Sequence, residues 1–272
     1  PRTSVERYRE SNLKIPQIGK ELETAYILVG SVQRYENKIR ITVQLISAKT
    51  DKHLWSQKFD RKLDDIFKIQ TEIANAISDN LKVLITSNEK DLLASAPTQN
   101  LEAYDLHLQM SALPYDTENY NDIIINLSQK AIKLDPSFSY PYLHMANSLM
   151  NKGYQELLPD KIWKDSTLNL INKAIELAPK SPEGYQFKIL YFEKIRQPQD
   201  RNLSIAKVLE LLPNNPYYLN MSGENNIISG NIEKGIDLKL KALASIPTIE
   251  VKESIQKIKE YLILLDHEFR YE

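Results

Sequence analysis

The chain has 272 residues, 42% hydrophobic and 26% charged, with Lys+Arg 35 against Asp+Glu 36 and a formal net charge of -1. That balance belongs to a folded globular chain and carries no basic footprint for nucleic acid or an anionic membrane. Cysteine is absent, which removes disulfides, thiolate nucleophiles and Cys-type zinc sites together, and no apolar run is long enough to span a bilayer. The sequence opens Pro1-Arg2-Thr3 without an initiator Met. It reads as a soluble piece of a longer protein, and a thiol-free chain is compatible with cytoplasm or periplasm alike.

Residues up to about 88 form the first expected domain. Arg2–Tyr8 reads as a strand and Pro16–Glu23 as a short helix. Tyr26–Val32 is β-branched and apolar, Lys38–Ile46 alternates polar and apolar with period two, and His53–Phe59 follows a turn at Lys49–Lys52. These predict a three-stranded meander with one polar face. Leu63–Ile85 is an amphipathic helix expected to turn Leu63, Phe67, Ile73, Ile77, Leu81 and Leu84 toward the sheet. Asp64-Asp65 at its start suits the helix dipole.

Several motifs in this stretch occur in order: Arg2-Thr3-Ser4-Val5 with Tyr8-Arg9, Ile18-Gly19-Lys20-Glu21-Leu22, Gly30-Ser31-Val32, Gln44-Leu45-Ile46 and His53-Leu54-Trp55. They resemble the TolB amino-terminal-like domain of bacterial multidomain signalling proteins. In that family a strand and a helix precede the Arg-Thr-Ser-Val strand, so the resemblance implies an N-terminally incomplete α+β unit here.

After a linker at 89–100, residues 101–272 carry a repeat. Pro136, Pro179, Pro213 and Pro247 are each preceded, five residues earlier, by Ala131, Ala174, Val208 and Ala242. A lysine stands before each of these and an aliphatic residue after it. The last three prolines are spaced by one tetratricopeptide period of 34 residues. Physically, a small residue lets two helices cross closely, proline ends the helix, and Ser181 before Pro182 or Asn215 before Pro216 caps the next one. Tyr142, Met145-Ala146 and Leu149, and then Leu219, Gly223, Gly230 and Gly235, resemble the tetratricopeptide family at its first-helix and crossing positions. The second unit holds roughly nine residues more than the period, between Leu149 and Thr167, as an enlarged loop or a lengthened first helix. Glu250–Phe269 reads as a terminal helix covering the end of an all-α solenoid.

Nothing in the sequence assembles a catalytic, cofactor or metal site. His53, His107, His144 and His267 are scattered, and no HExxH, phosphate-binding glycine loop or nucleophile elbow occurs. Trp55 and Trp163 suit a core or a packed loop. Asn126, Asn202 and Asn220 start sequons of a kind that arises by chance.

The tetratricopeptide resemblance implies a concave groove lined by first helices and filled by a peptide. Carried over unit by unit, that face holds Tyr140, Leu143, Asn147 and Met150, then Glu183, Gln186, Leu190 and Glu193, then Tyr217, Asn220, Glu224 and Ile227. The version of this groove that grips a carboxylate terminus uses Lys, Arg and Asn. Here the face has Glu and no Lys or Arg, which predicts a basic or neutral partner. The combined architecture resembles the regulatory arm of proteins ending in a nucleotide cyclase or a winged-helix domain. The function expected is therefore a non-catalytic interaction module that binds a protein or self-associates as a homodimer. The alternative is a sensor enclosing a small ligand between the two units.

Overall fold

The computed structural model describes residues 7–8, 11–22, 24–36, 38–62, 65–81, 96–155 and 159–245. The chain divides into two compact units, Pro1–Ala96 and Pro97–Glu272.

The first unit contains α1 (Ile15–Glu21), β1 (Tyr26–Tyr35), β2 (Lys38–Ser47), β3 (His53–Lys62) and α2 (Ile66–Leu81). Pro16 favours the first turn of α1, and Gln17 closes it by accepting from the Lys14 N–H at 2.9 Å. The strands are antiparallel in the order β1-β2-β3, running from Tyr26↔Ser47 to Tyr35↔Lys38 on one side of β2. On the other side a bulge interrupts the register at Leu45/Ile46. Alternation in β2 buries Ile39, Ile41, Val43 and Leu45 on one face, and Phe59 and Ile69 complete that core at 0% exposure. Trp55 and Ile73 close its rim.

Two expectations change here. The helix-to-sheet contact centres on Ile69, with Ile73 one turn on, because these two stack over Phe59 and β2; Ile69 was absent from the expected face. Arg7 and Tyr8 lie in a turn rather than a strand, while the rest of Arg2–Tyr8, Leu63, Asp64 and Leu84 fall outside the described residues.

The second unit is a series of tetratricopeptide-type antiparallel hairpins. Its helices are α3 (Leu101–Ala112), α4 (Tyr120–Leu134), α5 (Ser139–Gln155), α6 (Asp160–Leu177), α7 (Glu183–Lys194), α8 (Pro198–Leu211), α9 (Pro216–Ile228) and α10 (Ile232–Ala244). Each packs on the next, and α3 on α5 and α5 on α7. Ala131, Ala174, Val208 and Ala242 are all buried at 5% exposure or less, as close helix crossings require.

The prolines act through the backbone. In three units the residue just before the proline is the C-cap, and its N–H makes the last helical bond to the small residue. The distances are 2.9 Å for Asp135 to Ala131, 3.0 Å for Ala178 to Ala174 and 2.7 Å for Leu212 to Val208. Proline has no N–H to continue the ladder. Asn215 caps α9 as expected, its Oδ1 accepting from the Tyr217 and Tyr218 N–H groups. Ser181 is not the cap of α7; its hydroxyl donates instead to the Glu183 carboxylate, and Pro182 holds the cap position.

The enlarged unit is enlarged in both helices, α5 having 17 residues and α6 18, against 12 to 14 in α7 to α10. Gly153 lets the Trp163 indole lie on α5, since a Cβ there would stand 2.3 Å from Trp163 Cγ. Pro247 and the expected helix Glu250–Phe269 lie outside the described residues. No described helix is long and apolar enough to cross a membrane.

Candidate functional site

The first helices α5 and α7 lie side by side and are stitched together in repeat register. Tyr140 on α5 donates its hydroxyl to Glu183 Oε1 on α7 at 3.0 Å. One helix length further on, Lys194 Nζ on α7 donates to Asn151 Oδ1 on α5 at 3.2 Å. Both pairs are 43 residues apart in sequence, the length of the enlarged unit, so α5 and α7 run parallel without slippage. Burial, and secondarily the Glu183 charge, raise the Tyr140 pKa. The phenol therefore stays a donor to that carboxylate.

The twelve expected face residues separate into three groups. Leu143 and Met150 are each 3% exposed inside the core cluster with Trp163, Ile171, Ala174 and Tyr191, so they hold hairpins together and cannot touch a ligand. The lengthened α6 brings Trp163 against α5 at Gly153, within the same cluster. Tyr140, Asn147, Glu183 and Gln186 are half-buried. Leu190, Glu193, Tyr217, Asn220 and Glu224 are exposed. Ile227 is at the boundary; its Cγ1 lies where a Cβ on Gly235 of α10 would stand, at 2.5 Å.

The charge of this face also differs from expectation. Lys239 of α10 reaches across to Glu224 Oε1 at 3.1 Å and Asn220 Oδ1 at 2.9 Å. That contact holds the Glu224 carboxyl below its ordinary range, with help from the Asn220 amide. Glu183 already accepts two hydrogen bonds, from Tyr140 and Ser181. Of the acidic side chains on the expected face, Glu193 is the exposed one with no ion pair among the described residues. Reading only first helices missed Lys239, which comes from a second helix.

A buried polar pair was missed as well. His107 Nδ1 of α3 and His144 Nε2 of α5 lie 2.9 Å apart. One nitrogen donates and the other accepts, so the accepting ring is neutral in this contact. Aromatic rings enclose the pair: Tyr140 has its centroid 4.7 Å from His107, Phe138 5.6 Å and Tyr104 5.9 Å. Burial pulls both imidazoles down to about 4, and for His144 the nearby His107 adds to it. The signal available in the sequence was the separation of 37 residues, close to one repeat, which puts both rings on successive first helices.

A separate polar cleft of about 400 Å³ opens at the α3–α4 turn, lined by Tyr115, Thr117, Asn119, Tyr120, Asn121, Asp122 and Asn151. Among the described residues, no group of three or more His, Cys, Asp or Glu could hold a metal ion.

No protein-family model matches the chain. It is 28% identical over 190 residues to putative adenylate cyclase 3 of Rhizobium meliloti (strain 1021), a match covering 68% of this chain and 32% of that protein. The chain thus spans about a third of the length of that curated relative. Among solved structures it is similar to a crystal structure of MamA, at 15% identity and a TM-score of 0.42, over 71% of this chain and 98% of the other. It is also similar to MamA from residue 41 to its end from Desulfovibrio magneticus RS-1, at 14% identity and a TM-score of 0.39, over 70% and 96%.

Proposed function

We propose that this chain is a non-catalytic arm of a larger bacterial signalling protein, whose helical unit holds a protein partner on the face of α5, α7 and α9. The observation that carries this reading is the paired stitching of α5 to α7 at one repeat separation. It fixes α5 and α7 in parallel, and Leu190 on α7 and Tyr217 on α9 are exposed at 47% and 64% on successive hairpins. Exposed apolar and aromatic residues on a rigid helical frame are the usual anchors of a protein interface. With Glu224 neutralised by Lys239 and Glu183 internally bonded, the chemistry favours a neutral segment bearing apolar side chains, with room for one basic group at Glu193. The similarity to about a third of a putative adenylate cyclase supports a regulatory place within a longer chain.

The test is photo-crosslinking from positions 190 and 217 in cells, followed by affinity measurement with the purified partner. Leu190→Asp and Tyr217→Asp should each weaken that binding at least tenfold, on the order of 1.4 kcal/mol. Glu233→Lys, on α10, should leave it unchanged. A partner indifferent to both α7 and α9 substitutions would remove the assignment.

A further inference from the structure

The two edges of the three-stranded sheet are built differently. β3 carries Lys58, Asp60, Arg61 and Lys62, and a bulge breaks its register with β2. Charge and bulging are how sheets protect an edge from further pairing. β1 has neither. Its ladder with β2 is unbroken over ten residues, and Tyr26–Gln33 contains no charged side chain and no proline. Among the described residues no strand pairs with its outer side.

The core face is also unfinished over β1. Leu28, Gly30 and Val32 stand opposite Leu45, Val43 and Ile41, and so belong to the same face of the sheet. Those β2 residues are 2%, 5% and 7% exposed, whereas Leu28 is 50% and Val32 66% exposed. Helix α2 packs on β3 and β2.

We infer that β1 pairs with β1 of a second copy of this chain, antiparallel about a two-fold axis through Gly30. The strand is self-complementary in that register and in few others. A two-fold axis perpendicular to the sheet keeps core face beside core face only if residues of the same parity meet. Centred on Gly30, Leu28 faces Val32 of the second copy and Val32 faces its Leu28. Val29 then meets Ser31 on the other face. No like charges oppose one another, which a homotypic pair of charged edge strands could not avoid. Two apolar strips, each half-bare in one chain, become one continuous row across a six-stranded sheet. This inference is independent of the partner face on the helical unit.

Because the chain contains no cysteine, the register can be read covalently. Directly opposed residues lie about 4.5–5.5 Å apart, within disulfide reach, while positions two registers apart lie about 7–8 Å away. Val29→Cys and Ser31→Cys chains, mixed and oxidised, should form a disulfide dimer, and neither alone should. Light scattering on the whole chain should show a dimer. Leu28→Glu, counted twice by symmetry, should raise its dissociation constant about a hundredfold. A monomer at the highest soluble concentration would overturn the inference, including one whose β1 amides resist hydrogen exchange because another segment of the same chain covers them. A dimer that survives Leu28→Glu, or disulfides that form equally in the single-cysteine samples, would overturn it too.

Discussion

Gly223 and Gly235 show how one residue position can decide a helix crossing. A Cβ on Gly223 would stand 2.8 Å from the Gly235 carbonyl oxygen, and one on Gly235 would stand 2.7 Å from the Gly223 carbonyl oxygen. Backbone cannot swing aside as a side chain can. Alanine gains about 1 kcal/mol of helix propensity over glycine, but overpacking costs about 1–3 kcal/mol. Gly223→Ala should therefore lower the thermal midpoint in spite of its better propensity. Gly230, in the turn between the same helices, differs in kind: nothing lies within 4 Å, but its φ is +84°. Gly230→Ala should cost about 1 kcal/mol through backbone strain alone. Calorimetry on the two variants checks both, and an unchanged midpoint for Gly223→Ala would contradict the crossing. Gly223 and Gly235 were legible because they fall on positions where the last unit resembles the tetratricopeptide repeat. Leu143 and Met150 were misread for the same reason: alignment put them on a groove face, while the extra length of α6 is peculiar to one unit. No periodic pattern could report that Trp163 packs against α5 at Gly153.

At the scale of elements, the junction between α3 and α5 depends on two uncharged imidazoles. Free histidine titrates near about 6.5, and both His107 and His144 are held at about 4 in the fold. A base whose folded pKa is depressed favours the fold when neutral. Its stabilisation is therefore complete above about pH 6.5 and is lost as pH falls toward 4. The shift amounts to roughly 3 kcal/mol for each ring. The α3–α5 contact should loosen first on acidification, because protonation places two positive rings side by side with no carboxylate bonded to either among the described residues. The double variant His107→Phe, His144→Leu should flatten the stability profile between pH 7 and pH 4.5. Denaturant midpoints across that range measure it; a profile as steep as that of the unsubstituted chain would show that other groups govern acid sensitivity. Elements were largely readable beforehand. The meander, both flanking helices and the hairpins follow from period-two and helical patterns, whereas the histidine contact joins helices whose pairing no local pattern encodes.

Taken whole, the helical unit has a one-dimensional logic, because each hairpin touches mainly its neighbours. The consequences of a substitution should then depend on where in the series it falls. Trp163 is 5% exposed in a cluster that joins Leu143, Ala146 and Met150 of α5, Ile171 and Ala174 of α6, and Tyr191 of α7. Its removal empties a space shared by two hairpins, and truncation of a buried tryptophan costs about 3–5 kcal/mol. Gly223→Ala disturbs only the α9–α10 hairpin at the far side of α8. Hydrogen exchange on the two variants should therefore give different maps. Trp163→Ala should reduce protection in α5, α6 and α7 and, through the α3–α5 and α8–α9 contacts, weaken the hairpins on both sides. Gly223→Ala should reduce protection in α9 and α10 while α3 to α6 keep theirs. The β1–β3 sheet lies in the other compact unit and provides an internal control, since neither change removes a contact there. If Gly223→Ala lowered protection uniformly from α3 to α10, the unit would unfold as a single cooperative block, and the nearest-neighbour account of its stability would be wrong.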